Sequence, residues 1–148
     1  MTAEPTFTTR LAYWDDDGEA IAPVRTQVFV VEQGVPPEIE MDNMDARCVH
    51  AVAQDAQQRV IGTGRLLPAL GGTARIGRMA VYEEWRGRRV GAALLQLLMD
   101  AARRRGDREI ELHAQSRAER FYLREGFTRH GEEYFEAGIA HVNMRRYL

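Results

Sequence analysis

VYEEWRGRRVGAALLQLLMDAARRRG, from Val81 to Gly106, places a hydrophobic strand end, a turn of glycine and arginine, and a periodic helix in direct succession. Val90, Leu94, Leu97, Leu98 and Ala101 recur at three- and four-residue spacing, which predicts a helix with one apolar face. Arg103, Arg104 and Arg105 suit its negative end, and Gly106 suits its C-cap. Before it, Arg86-Gly87-Arg88-Arg89-Val90-Gly91-Ala92 offers two glycines and three guanidinium groups. Backbone N–H groups at a helix start lack partners and carry partial positive charge, so such a turn can seat a pyrophosphate. It can also be a basic, solvated helix start, in which three arginines each cost a few tenths of a kcal/mol that a bound polyanion would reverse. Local physics leaves both readings open.

Outward from this stretch, elements alternate. Thr6 to Tyr13 reads as a strand, and Asp15-Asp16-Asp17-Gly18 opens a helix whose apolar positions are Ile21, Val24, Val28 and Val31. Gly34 and Pro36-Pro37 stop it, and Glu38 to Arg47 reads as a polar connection. Cys48 to Gln54 and Val60 to Leu67 form an expected hairpin, followed by a strand from Ala74 to Val81. After the central helix, Ile110, Leu112 and Ala114 alternate with Glu111, His113 and Gln115, as in a half-buried strand. Ser116 is placed to cap a short helix ending at Gly126-Phe127, and strands follow at Thr128 to Phe135 and His141 to Leu148. The expected fold is an α/β domain spanning residues 1–148, with a mixed, mostly antiparallel sheet flanked by helices.

Composition narrows the function. With 148 residues and a net charge of −2, the chain is sized for one domain and has no overall pull toward nucleic acid or anionic membrane. No apolar run is long enough to span a bilayer, the N-terminus lacks the regions of a signal peptide, and one cysteine cannot form an internal disulfide; the cytoplasm is the expected compartment. All 20 basic residues are arginine. A Walker-type phosphate loop and a Schiff-base mechanism both need a lysine, so neither is available. No Gly-x-Gly-x-x-Gly follows a first strand, which excludes a Rossmann dinucleotide site.

Element order and motifs together resemble the GNAT superfamily of N-acetyltransferases. Arg86, Val90 and Gly91 match its pyrophosphate turn, Arg/Gln-x-x-Gly-x-Gly/Ala, while Arg89 replaces the first motif glycine. Ile76-Gly77-Arg78-Met79-Ala80-Val81 looks like the family's fourth strand, which splays from its neighbour and bonds the pantetheine arm. Gln115-x-x-Ala118-x-x-Phe121-Tyr122-x-x-x-Gly126-Phe127 is similar to the next signature. Val28-Phe29-Val30-x-Glu32-Gln33-Gly34-Val35-Pro36, with Glu40, Asp42, His50 and Phe135-Glu136-Ala137-Gly138-Ile139-x-His141, resembles the small bacterial ElaA-like branch.

The resemblance implies acetyl-CoA as co-substrate, no metal, and a primary amine of a small molecule or peptide as acceptor. It implies a splayed strand pair holding acetyl-CoA through Met79, Ala80, Val81, Arg86, Gly87, Arg88, Arg89, Val90, Gly91, Ala92 and Gln115. A backbone N–H around Met79 to Val81 would polarise the thioester carbonyl, and Tyr122 stands at the position of a general acid toward the CoA sulfur. Tyr122 could also pack a short helix into the core.

The base is open among Glu32, Glu111 and His113, the last two on one strand face with Gln115. That face could also be merely solvated. The acidic run Glu38, Glu40, Asp42 and Asp45 could recognise a cationic acceptor or form a solvated loop. His50 and His141 read as packed strand residues, and Cys48 as buried and inert. A catalytically silent acetyl-CoA sensor or scaffold is the alternative function. Neither nucleic acid nor membrane is an expected partner, and no interface signature decides whether the chain forms a homodimer.

Overall fold

The structure is a computed structural model describing residues 6–148; Met1 to Pro5, on which the reading of the N-terminus partly rests, lie outside it. Among the described residues, seven strands form one sheet: β1 (Thr8–Ala12), β2 (Val49–Gln54), β3 (Val60–Leu66), β4 (Thr73–Val81), β5 (Glu109–Gln115), β6 (Thr128–Glu136) and β7 (Ile139–Tyr147). Their spatial order is β1-β2-β3-β4-β5-β7-β6. Helices α1 (Trp14–Arg25), α2 (Pro37–Glu40), α3 (Val90–Arg105) and α4 (Glu119–Arg124) complete the fold. Every strand pair is antiparallel except β4 with β5. This is the mixed, mostly antiparallel sheet expected from the sequence. Among the described residues, no helix is long and apolar enough to cross a membrane.

The sheet buries both faces at its centre. Ala51, Ala53, Ile61, Ala74 and Ile76 pack with Leu94, Leu95, Leu98 and Met99 of α3. Val52, Val60 and Ala80 pack on the other face with Ile21 and Val24 of α1. Gly64 faces Met79 Sδ and Leu98, and Gly62 faces Val90 and Leu94, so a side chain at either position would crowd the packing of β4 and α3 on the sheet.

Ile76 and Ala80 should share a face by strand alternation, yet they sit in opposite clusters. A bulge accounts for this. The register passes from Thr63↔Ala80 to Arg65↔Gly77, so β4 spends one more residue than β3, and Arg78 adopts a left-handed backbone at φ 51°. β4 and β5 pair only at Thr73↔Glu109, Ala74↔Ile110 and Arg75↔Glu111. Beyond these pairs the two strands part, and a cleft opens between them.

Four expectations shift. Val31 is 64% exposed, not on the apolar face with Ile21, Val24 and Val28, because Thr26 to Glu32 forms a π-helical turn whose wider winding rotates that position outward. In α3 the buried face runs through Leu95, Met99 and Ala102, and Leu97 and Ala101 are only half-buried. Ser116 does not cap α4 but donates to Glu133 at 2.8 Å. The connection from Glu38 to Arg47 is partly interior, since Glu40 and Asp45 are buried beside Arg25 and Arg65.

Candidate active site

The cleft between β4 and β5 has a volume of about 1350 Å³ and reaches from the α3 turn to the β6–β7 hairpin. At its α3 end, Gly87 (φ 77°) and Arg89 (φ 64°) both take the left-handed backbone. Arg89 thus carries out, with a side chain, the conformation for which glycine is the default. Its carbonyl accepts the first helical bond, from Ala93 N–H at 3.1 Å. Arg86 N–H donates to Glu83 O at 3.1 Å, and the N–H groups from Gly87 to Ala92 are left for a ligand. Open space lies in front of Gly87, and Phe121 flanks Gly91 at 3.5 Å from an added Cβ. The turn therefore fits a pyrophosphate.

Met79, Ala80, Val81, Arg86, Gly87, Arg89, Val90, Gly91, Ala92 and Gln115 all line the cleft. Arg88 does not; its guanidinium lies over the Trp85 ring, 5.4 Å from the centroid. Arg86 is also committed within the protein. Its Nε donates to Val81 O at 3.0 Å, and its Nη2 donates to both Glu32 oxygens at 2.6 and 3.0 Å. Of the three arginines in the turn, Arg89 is the one that lines the cleft without a side-chain hydrogen bond or ion pair to another described residue. Gln115 bridges the opening, donating to Gln33 at 2.7 Å and accepting from Arg117 at 3.0 Å.

Tyr122 also lines the cleft, although it is only 8% exposed. Phe121 and Phe127 meet its ring edge-on, at 4.9 and 5.8 Å between centroids. Burial pushes its phenol up to about 12, so the hydroxyl keeps its proton at neutral pH. The packing role and the cleft position coincide in this residue.

The three candidate bases fare differently. Glu32 lines the cleft with its carboxylate taken by Arg86. Glu111 lies outside the lining, because it sits opposite Arg75 where β4 and β5 still pair. His113 lines the cleft, but Arg75 Nη2 lies 2.8 Å from its Nδ1. A guanidinium can only donate, so Nδ1 is the acceptor and the ring proton sits on Nε2. Burial, reinforced by the Arg75 charge, holds the His113 pKa below the ordinary histidine value.

His141, read from the sequence as a packed strand residue, lines the same cleft opposite Gln115 in the β5–β7 ladder. Its Nδ1 lies 2.7 Å from Ile139 O. A carbonyl can only accept, so Nδ1 carries the proton and Nε2 the lone pair. Glu136 approaches Nε2 at 3.6 Å and His113 Nδ1 at 3.7 Å. Tyr134 stacks on His141 at 5.9 Å between centroids. The pairing register, with Gln115↔His141 and His113↔Asn143, is what puts His141 on the face of His113. His50 is elsewhere, buried with its Nε2 2.9 Å from Asp45 O and its pKa lowered by burial.

The remaining wall is an ion network. Arg25 pairs with Glu40 and, at 2.6 Å, with Asp45; Arg65 pairs with Asp42 at 2.5 Å and Asp45 at 2.9 Å. Arg78, at the β4 bulge, donates to Glu40 O at 3.0 Å. Arg65 hydrogen bonds chiefly hold the Asp42 carboxyl well below the usual range. Burial works to raise Asp45, and hydrogen bonds from Arg25 and Arg65 outweigh it to give a net lowering. Glu40, Asp42 and Asp45 are therefore paired with internal arginines, while Glu38 of the same run is exposed. Cys48 is buried, lies outside the lining, and has its thiol pKa raised mainly by burial.

Comparisons with known proteins agree with this geometry. A family model described as an acetyltransferase (GNAT) domain matches residues 16–148. The uncharacterized N-acetyltransferase YjcF of Bacillus subtilis is 35% identical over 124 residues, 83% of this chain and 87% of that protein. An acyl-CoA N-acyltransferase from Pseudomonas aeruginosa superposes with a TM-score of 0.83 at 31% identity, covering 95% of this chain and 99% of the other. Escherichia coli ElaA superposes with a TM-score of 0.84 at 26% identity, with the same coverage.

Proposed function

We propose that this chain, which belongs to the GNAT acetyltransferase family, transfers an acetyl group directly to a primary amine of a small molecule or peptide, without a covalent enzyme intermediate. One observation carries the reading: the parting of β4 from β5 runs into the α3 turn, so one cleft joins a helix start with open N–H groups to Tyr122 and a histidine pair. Acetyl-CoA would supply a thioester-activated acetyl group. Arg89 and the turn N–H groups would hold its pyrophosphate, and the bulged backbone at Met79 to Val81 would meet the thioester carbonyl. Tyr122 keeps its phenol proton in this apolar setting and hands it to the departing sulfur. The only cysteine is buried away from the cleft and no lysine exists, which supports direct transfer to the acceptor.

The test is thiol release from acetyl-CoA in the presence of a panel of primary amines, with binding followed separately by calorimetry. Release that depends on amine is the expected result. Tight acetyl-CoA binding with no release on any amine would instead make the chain a silent acetyl-CoA sensor or scaffold.

A further inference from the structure

At the β6–β7 hairpin, His141, Glu136 and Tyr134 come together with His113 of β5, a grouping to which the motifs assign no role. We propose that His141 is the base that takes the proton from the acceptor's ammonium, with the Glu136 carboxylate holding the imidazolium that results; this rests on the acetyltransferase reading above.

The two histidines of the cleft are in opposite protonation forms, and only one has a lone pair to offer. At His113 the Nδ1 lone pair is engaged by Arg75, and Nε2 already bears the proton. At His141 the Ile139 carbonyl fixes the proton on Nδ1, leaving Nε2 free. Glu32 is engaged by Arg86, and Glu111 lies outside the cleft. His141 is thus the cleft group with an uncommitted basic nitrogen.

Its surroundings match the task. His141 is 7% exposed, and its ring is held between the Ile139 hydrogen bond and the Tyr134 stack. Tyr134 is itself anchored to Asn143 at 2.6 Å. The groups facing it are Glu136 and Tyr134 from β6, Gln115 and His113 from β5, and Arg75 of β4 behind His113. Glu136 is the acid among them. Its side chain is 51% exposed, so it can first attract the cationic acceptor and then face the charged ring. In the step itself the ammonium N–H bond breaks and its electron pair stays on the acceptor nitrogen. The proton bonds to Nε2, and the positive charge moves onto a ring opposite Glu136.

Two readouts test this. In histidine-labelled protein, long-range ¹H–¹⁵N spectra should show His141 with Nδ1 protonated and Nε2 bare in the neutral form, assigned by its loss in His141→Gln. Glu136→Gln should lower amine-dependent thiol release severalfold at unchanged acetyl-CoA affinity. An Nε2–H form, or equal turnover by Glu136→Gln and wild type, overturns the proposal. With amines as probes, His141→Gln should lower thiol release by roughly 100-fold or more at unchanged acetyl-CoA affinity, and should remove the acidic limb of the pH–rate profile. Equal turnover by wild type and His141→Gln overturns the base assignment alone. Wild-type protein that binds acetyl-CoA yet releases thiol with no amine overturns the acetyltransferase reading, and the base with it.

Discussion

Arg86 and Glu32 are joined across the mouth of the cleft, one Nη2 reaching both carboxylate oxygens at 2.6 and 3.0 Å. The pair ties the α3 turn to the end of the π-helical turn, so the arginine that heads the phosphate motif is partly neutralised before any phosphate arrives. Glu32→Gln should leave that positive charge uncompensated beside the turn. Acetyl-CoA affinity should then rise roughly two- to fivefold at low ionic strength, and the gain should fade in high salt. Calorimetric titration at two salt concentrations checks it; a salt-independent loss of affinity would mean that Glu32 serves to position Arg86.

Arg89 exchanges backbone comfort for charge. A left-handed non-glycine residue costs about 1 kcal/mol, part of which glycine returns through its freer unfolded chain. Arg89→Gly should therefore melt at the same temperature or slightly higher, while acetyl-CoA binding weakens through loss of the turn guanidinium that lines the cleft without an internal partner. Stability and affinity moving in the same direction would contradict this division.

Tyr122→Phe removes only a hydroxyl. Thiol release should fall roughly 100-fold or more with acetyl-CoA binding intact. The substitution also has a pH signature. A phenol raised to about 12 in the folded protein contributes stability below its unfolded value near ~10, and this is lost as the pH rises toward 12. Tyr122→Phe should accordingly resist alkaline unfolding better than the wild type, as read by circular dichroism between those pH values.

Asp45 holds Arg25 and Arg65 together while nearly fully buried. Asp45→Asn leaves two buried guanidinium groups short of a counter-charge and should cost about 3–5 kcal/mol in denaturant unfolding. The pKa values of Asp42 and Asp45 are depressed in the fold, so their stabilisation is present above the unfolded carboxyl value and is lost as the pH falls through the folded one. Acid unfolding of the wild type should begin below about pH 4. The variant should show a shallower acid limb; an unchanged one would place the acid sensitivity elsewhere.

Much of this was legible in the residues. The periodicity from Val90, the alternation of Ile110, Leu112 and Ala114, and the glycine breaks fixed most elements within a residue or two, because each signal is local. Arg89 was visible as the odd residue in a glycine position, and the left-handed backbone there shows why glycine is the usual occupant. Three features were not legible. The π-helical turn that exposes Val31, the bulge that moves Ala80 to the opposite cluster from Ile76, and the burial of Glu40 and Asp45 all depend on distant partners.

The sequence by itself determined the order of elements, the mixed sheet and the turn that begins α3, since these follow from periods, caps and motif spacing within short stretches. Only the tertiary structure decided which charged and titratable groups are free to act. Arg75 lies 38 residues from His113, and Arg86 lies 54 from Glu32. Whether a histidine or a carboxylate keeps an open lone pair depends on such remote donors, and only the folded chain brings them within hydrogen-bond range.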